Sequence, residues 1–121
     1  MPRLLLIDDE ADVCEVIGEY LSEQGHIVTV VNDGAAALRV LMGEQFDAVI
    51  IDMLLPGTSG LELAEAASAR RISVLLMSGE PESIERLSRN NRYPFLQKPF
   101  HLDILGSALS GMLNARVRMT D

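Results

Sequence analysis

The sequence predicts a doubly wound α/β fold: a five-stranded parallel sheet with helices on both faces. Two observations carry that expectation. Short aliphatic runs alternate along the chain with amphipathic stretches of helical period, five times over. The runs are also apolar at consecutive positions, as in strands covered on both sides, and not at every second position as in a half-exposed sheet.

The first run, Leu4 to Ile7, precedes a stretch in which Val13, Val16, Ile17, Tyr20 and Leu21 recur at helical spacing. Asp12, with Glu15 three residues on, has the pattern of a capping pair, and Gly25 suits the helix end. Ile27 to Val31 is the second run. Asn32, Asp33 and Gly34 then open a helix carrying Ala36, Leu38 and Leu41. Ala48 to Ile51 is the third, and Ser59 with Glu62 opens a helix carrying Leu63 and Ala67. After the fourth run, Val74 to Met77, Pro81 favours a helix start, so a fourth helix is predicted through Ile84 and Leu87. The fifth run, Phe95 to Leu96, is weaker; Pro94 beside it lacks an amide hydrogen and suits an edge strand. Leu102, Leu105, Leu109, Met112 and Leu113 form the apolar stripe of a last helix.

A length of 121 residues fits a single domain spanning 1–121, able to bury a core without disulfides or structural metal. No repeat, low-complexity tract or linker divides it. The absence of a signal-peptide pattern or an apolar segment of spanning length predicts a cytoplasmic protein without membrane insertion. A net charge of -8 argues against direct nucleic-acid binding, because phosphate backbones and anionic lipid would repel this field. The single cysteine, Cys14, has no disulfide or zinc partner and is expected to pack as a small residue in a helix. His26 and His101 are expected on the surface.

In open α/β sheets a site forms outside the carboxyl ends of the strands. Here Asp8 and Asp9 end the first run, Asp52 the third and Ser78 the fourth, and Lys98 follows the fifth. Each residue alone has a plainer explanation, as a helix cap or a turn former. Parallel strands all end on one rim, however, so all four positions converge there. Two carboxylates about 4 Å apart repel by roughly 4 kcal/mol at an effective dielectric near 20, so three together need cations. Lys98, the chain's only lysine, is one. A divalent ion is the natural second, and an oxygen-only donor set suits magnesium better than zinc. A carboxylate, a hard cation, an ammonium and a hydroxyl on one rim are the parts of a phosphoryl-transfer site. Asp52 would be the nucleophile; Asp9, with Asp8, would hold the metal; Lys98 and Ser78 would bind phosphoryl oxygens, with Gly79 leaving room for them.

The segments LLLIDDE and DAVIIDMLLPGTSGLEL, the pair Ser78-Gly79 and the segment FLQKPF, in that order and spacing, resemble the receiver domain of two-component response regulators. The resemblance runs from Arg3 to about Ala115. It implies the flavodoxin-like strand order 2-1-3-4-5 and magnesium-dependent phosphorylation of Asp52 by a phosphohistidine donor, with manganese able to substitute. It implies slow self-catalysed dephosphorylation rather than turnover of a substrate as an enzyme. It assigns a metal-ligating backbone carbonyl to Leu54, the following turn to Pro56, Gly57 and Gly60, and a cis peptide bond to Lys98-Pro99. Ser78 and Phe95 occupy the switch positions.

The chain also departs from that pattern. Phe95 lacks the hydroxyl that many relatives carry, Leu54 places an apolar side chain beside the pocket, and NNRYP stands where many receivers have a small pair. The partners implied are a sensor histidine kinase or a histidine phosphotransfer protein, and a downstream protein of unknown identity. Arg86, Arg89 and Arg92 form a basic spot suited to an acidic partner or to a second copy in a phosphorylation-dependent homodimer. The receiver would stand alone or belong to a larger regulator or hybrid kinase, although ARVRMTD reads as a helix end. The alternatives are a degenerate receiver acting as a constitutive protein-binding module, which usually lacks an acidic or lysine position, and an aspartyl-phosphate phosphatase. A phosphatase would want a second acid/base two residues after Asp52, where Leu54 stands.

Overall fold

The five aliphatic runs become five parallel strands: β1 (Arg3–Ile7), β2 (Ile27–Val31), β3 (Ala48–Asp52), β4 (Ser73–Ser78) and β5 (Phe95–Gln97). They lie in the order β2-β1-β3-β4-β5, the flavodoxin-like order. The computed structural model describes the backbone of residues 1–82, 85 and 92–120 and the side chains of these up to 115. Its helices are α1 (Ala11–Glu23), α2 (Gly34–Gly43), α3 (Gly60–Ala69) and α4 (Leu102–Thr120). Pro81 and Glu82 are helical as expected; the rest of the helix expected there, with Ile84 and Leu87, lies outside the described residues.

Two cores explain the unbroken hydrophobicity of the strands. Leu5, Ile7, Val49, Ile51, Val74 and Leu76 face α2 and α3, where Ala37, Leu41, Leu63, Ala64 and Ala67 meet them. Leu4, Leu6, Ala48, Ile50, Leu75 and Met77 face the other way, onto Cys14, Ile17 and Leu21 of α1 and Leu105 and Leu109 of α4. Successive residues of a strand point to opposite sides, so a strand with a helix layer on each side must be apolar throughout. The outer strand β2 is less covered and leaves Ile27 and Val30 exposed.

Local signals place most helix ends. Asp33 caps α2 by accepting from the Ala36 amide at 2.9 Å, and Ser59 caps α3 by accepting from the Glu62 amide at 3.2 Å. At the end of α1, Gly25 takes φ 95°, while its amide donates to Ser22 and that of His26 to Leu21. This is the paired closure that a left-handed residue permits.

Four local expectations are corrected. Asp12 does not cap α1: Glu10 holds the cap position, with no side-chain cap bond, and Asp12 lies inside the first turn. Residues there are drawn instead to the Asp8 turn, where the Glu10 amide donates to the Asp8 carboxylate. Val16 is 54% exposed, the buried face of α1 being Cys14, Ile17 and Leu21. Leu38 is 36% exposed, and α2 buries Ala37 and Leu41. His26 is half-buried, not on the surface, and burial lowers its pKa; His101 is exposed as expected.

Candidate functional site

The strand register sets the carboxyl rim. Ile7 of β1 pairs with Ile51 of β3, so Asp8 and Asp52 follow at the same level. Asp52 pairs with Met77, which puts Ser78 one step further, and Ser78 pairs with Gln97, immediately before Lys98. The pleat then sorts the side chains. Asp8, Asp52 and Lys98 share the parity of Leu6, Ile50 and Leu96, on the α1 and α4 side. Ser78 and Phe95 share the parity of Leu76, on the opposite side and on adjacent strands.

Lys98 reaches back along the rim to both buried acids. Its Nζ lies 2.9 Å from Asp8 Oδ2 and 3.3 Å from Asp52 Oδ2. Asp8 is fully buried and Asp52 is 3% exposed, whereas the lysine side chain keeps 20% of its surface open. Each carboxylate also receives a nearby amide. Glu10 N–H donates to Asp8 Oδ1 at 2.9 Å, and Leu54 N–H to Asp52 Oδ1 at 3.1 Å. Ser78 is fully buried, and its Oγ accepts from the Glu80 amide at 3.2 Å. The peptide bond Lys98-Pro99 is cis, as expected. A Cβ at Gly79 would meet that of Lys98 at 3.6 Å, an ordinary contact, so the position does not sterically demand glycine.

The charges at the rim do not balance. Asp8, Asp9, Glu10 and Asp52 each offer a carboxylate oxygen, all within 4.8 Å of one another, with Lys98 as the cation bonded to this group. Burial, and secondarily Asp8, raise the pKa of Asp52 despite the opposing pull of the Leu54 amide and Lys98. Burial alone would lower Lys98; its bonds and attraction to Asp8 and Asp52 outweigh that and raise it. Burial and the neighbouring Asp8 push the Cys14 thiol up to about 11, so it stays protonated and packs as expected. Hard oxygen donors with excess negative charge, partly open to water, fit a magnesium ion. Asp8, Asp9 and Asp52 were expected in this group. Glu10 was not, because an acid at an exposed helix start reads as ordinary dipole compensation.

The remaining candidates are less concentrated. Leu54 lies in the loop after Asp52, and its side chain is 47% exposed. Arg92 sits away from the rim, 4.0 Å from Glu65 in a solvent-exposed pair and over the Tyr93 ring. Arg86 and Arg89 lie outside the described residues, as do Asn90 and Asn91 of the NNRYP segment.

An open parallel sheet carrying four acids and a lysine at its carboxyl rim defines an α/β domain equipped to hold a hard cation and an anion together. The chain belongs to the response regulator receiver domain family, whose model matches residues 4–110. It is 36% identical over 98% of its length to the transcriptional activator protein PfeR of Pseudomonas aeruginosa, and spans 39% of that relative. Its fold superposes with a TM-score of 0.82 on the response regulator TrrA of Thermotoga maritima, solved in complex with Mg2+ and BeF, at 28% identity, covering 93% of this chain and 99% of that one. The receiver domain of the sensor histidine kinase PA1611 from Pseudomonas aeruginosa, solved with a magnesium ion in its active-site cleft, gives 0.83 at 25% identity, covering 93% and 98%. Two-component signalling is therefore the setting of this domain. No described helix is long and apolar enough to cross a membrane.

Proposed function

We propose that residues 1–121 form one receiver domain that accepts a phosphoryl group on Asp52 from a phosphohistidine donor, a sensor kinase or a histidine phosphotransfer protein. The observation carrying this reading is the single ammonium of Lys98 bridging Asp8 and Asp52 within a wider group of acids. An Asp52 oxygen attacks phosphorus, an O–P bond forms, and the P–N bond breaks with its electron pair leaving on the donor imidazole. Lys98 exchanges part of its attraction to Asp52 for the new phosphoryl oxygens, and the Ser78 hydroxyl donates to one of them. Asp8, Asp9, Asp52 and the Leu54 backbone carbonyl would hold magnesium, which supplies the charge that neutralises those oxygens; manganese would serve in its place.

The aspartyl phosphate is read through Ser78 and Phe95. Their common face and adjacent strands support this pairing. Phe95 has no hydroxyl, so its contribution is ring packing, and the two-state balance it biases decides access for a downstream protein. An acidic partner or a second copy would engage Arg86, Arg89 and Arg92. The acidic and lysine positions are all retained, which disfavours a degenerate binding module.

Incubation of the chain with magnesium and a small acyl phosphate tests the reading. About one phosphoryl group per chain is expected, labile at alkaline pH and absent from Asp52→Asn. Label retained by Asp52→Asn would remove Asp52 as acceptor. Repeated turnover of phosphate esters would favour a phosphatase instead.

A further inference from the structure

We propose that the segment leading from β2 into the first residue of α2, Asn32 to Gly34, positions the metal-holding acids from outside the site. The inference rests on the proposed magnesium site and adds to it residues that touch neither metal nor phosphate.

Asn32 Nδ2 donates to the backbone carbonyl of Asp8 at 2.9 Å. The Cys14 thiol donates to the same carbonyl at 3.4 Å and lies 3.5 Å from Asn32 Nδ2. Asp8 also donates its own amide to Val31 O at 3.2 Å, next to Asn32. The main chain of Asp8 is thus tied on both sides to the end of β2. Its carboxylate is free to be shared between Glu10 N–H and Lys98. Without the Asn32 amide, the Asp8 carbonyl would keep one weak sulfur donor, and the turn carrying Asp8, Asp9 and Glu10 would drift from Asp52.

Gly34 braces the other half of the site. A Cβ at this position would stand 2.8 Å from Thr58 Cβ and 3.0 Å from both Thr58 N and O. Thr58 belongs to the loop that follows Asp52 and contains Leu54, and its N and O are backbone atoms, so a larger residue would displace that loop. Between the two, Asp33 anchors the connection by capping α2. One three-residue segment therefore fixes the turn after β1 through Asn32 and the loop after β3 through Gly34. The metal needs both to converge, and residues that orient ligands in this way typically set metal affinity by about 10–100-fold.

The test is magnesium titration by calorimetry of the wild type, Asn32→Ala, Asn32→Asp and Gly34→Ala, each checked for a cooperative unfolding transition. The Asp variant keeps the shape of Asn32 but turns its donor into an acceptor facing a carbonyl. We expect both Asn32 variants to bind magnesium about tenfold more weakly. Their phosphorylation by a small acyl phosphate should return to the wild-type rate once magnesium is saturating. Gly34→Ala, which acts through a different contact, should weaken binding to a similar extent. Wild-type affinity in a folded Asn32→Ala would overturn the proposal, as would unchanged affinity with a lowered saturating rate. A wild type that binds no magnesium would instead sink the reading of the site itself.

Discussion

Asp52, the proposed phosphoacceptor, carries a cost in the folded protein. It is nearly buried beside Asp8 with one shared ammonium, and burial raises its pKa. The folded state therefore binds its proton more readily than the unfolded chain does. The ionised form costs stability at neutral pH, and the cost is relieved as pH falls through the raised value. Magnesium-free Asp52→Asn should be more stable than wild type at pH 7 by about 1–3 kcal/mol. That difference should shrink on acidification in denaturant melts run at a series of pH values; a variant less stable than its parent at pH 7 would contradict this account. At this scale the sequence was legible where chemistry followed an aliphatic run: Asp8, Asp9, Asp52, Ser78 and Lys98 all stand at a strand end. Asn32 was not. It reads as a helix opener, and its partner is an Asp8 carbonyl 24 residues away that only folding brings near.

The elements show why helix existence is easier to read than helix facing. Both α1 and α2 form where apolar spacing put them, yet Val16 and Leu38 turn outward while Cys14 and Ala37 turn in. A period of 3.6 residues leaves neighbouring positions nearly equivalent, and the packing partner selects which stripe is covered. Helix ends follow local rules more closely, with consequences that can be measured. Gly25, at φ 95°, should cost about 1–2 kcal/mol when replaced by alanine, since a Cβ is strained there. Gly111, exposed inside α4 with nothing within 4 Å of an added Cβ, should gain about 0.5–1 kcal/mol from the same change. Thermal or urea unfolding of the two variants should move the midpoint in opposite directions.

In the whole molecule, the proposed magnesium site would link function to the stability of the fold. An ion that binds only the folded state should stabilise it by about 1.4 kcal/mol for each tenfold rise in concentration above its dissociation constant. Asp8→Asn should lose most of that dependence, and a melting temperature insensitive to magnesium in the wild type would break the link. The order of strands and helices was determined by the sequence itself, because periodicity and caps act over a few residues and each strand's apolar run demands cover on two sides. The same periodicity and the parallel pairing rule placed the reactive residues on one rim. Only the tertiary structure decided that Lys98 reaches two acids at once, that Glu10 joins them, that Asn32 bonds the Asp8 carbonyl and that Gly34 packs against Thr58. Those outcomes depend on distances of a few ångströms between residues far apart in the chain, which no local pattern encodes.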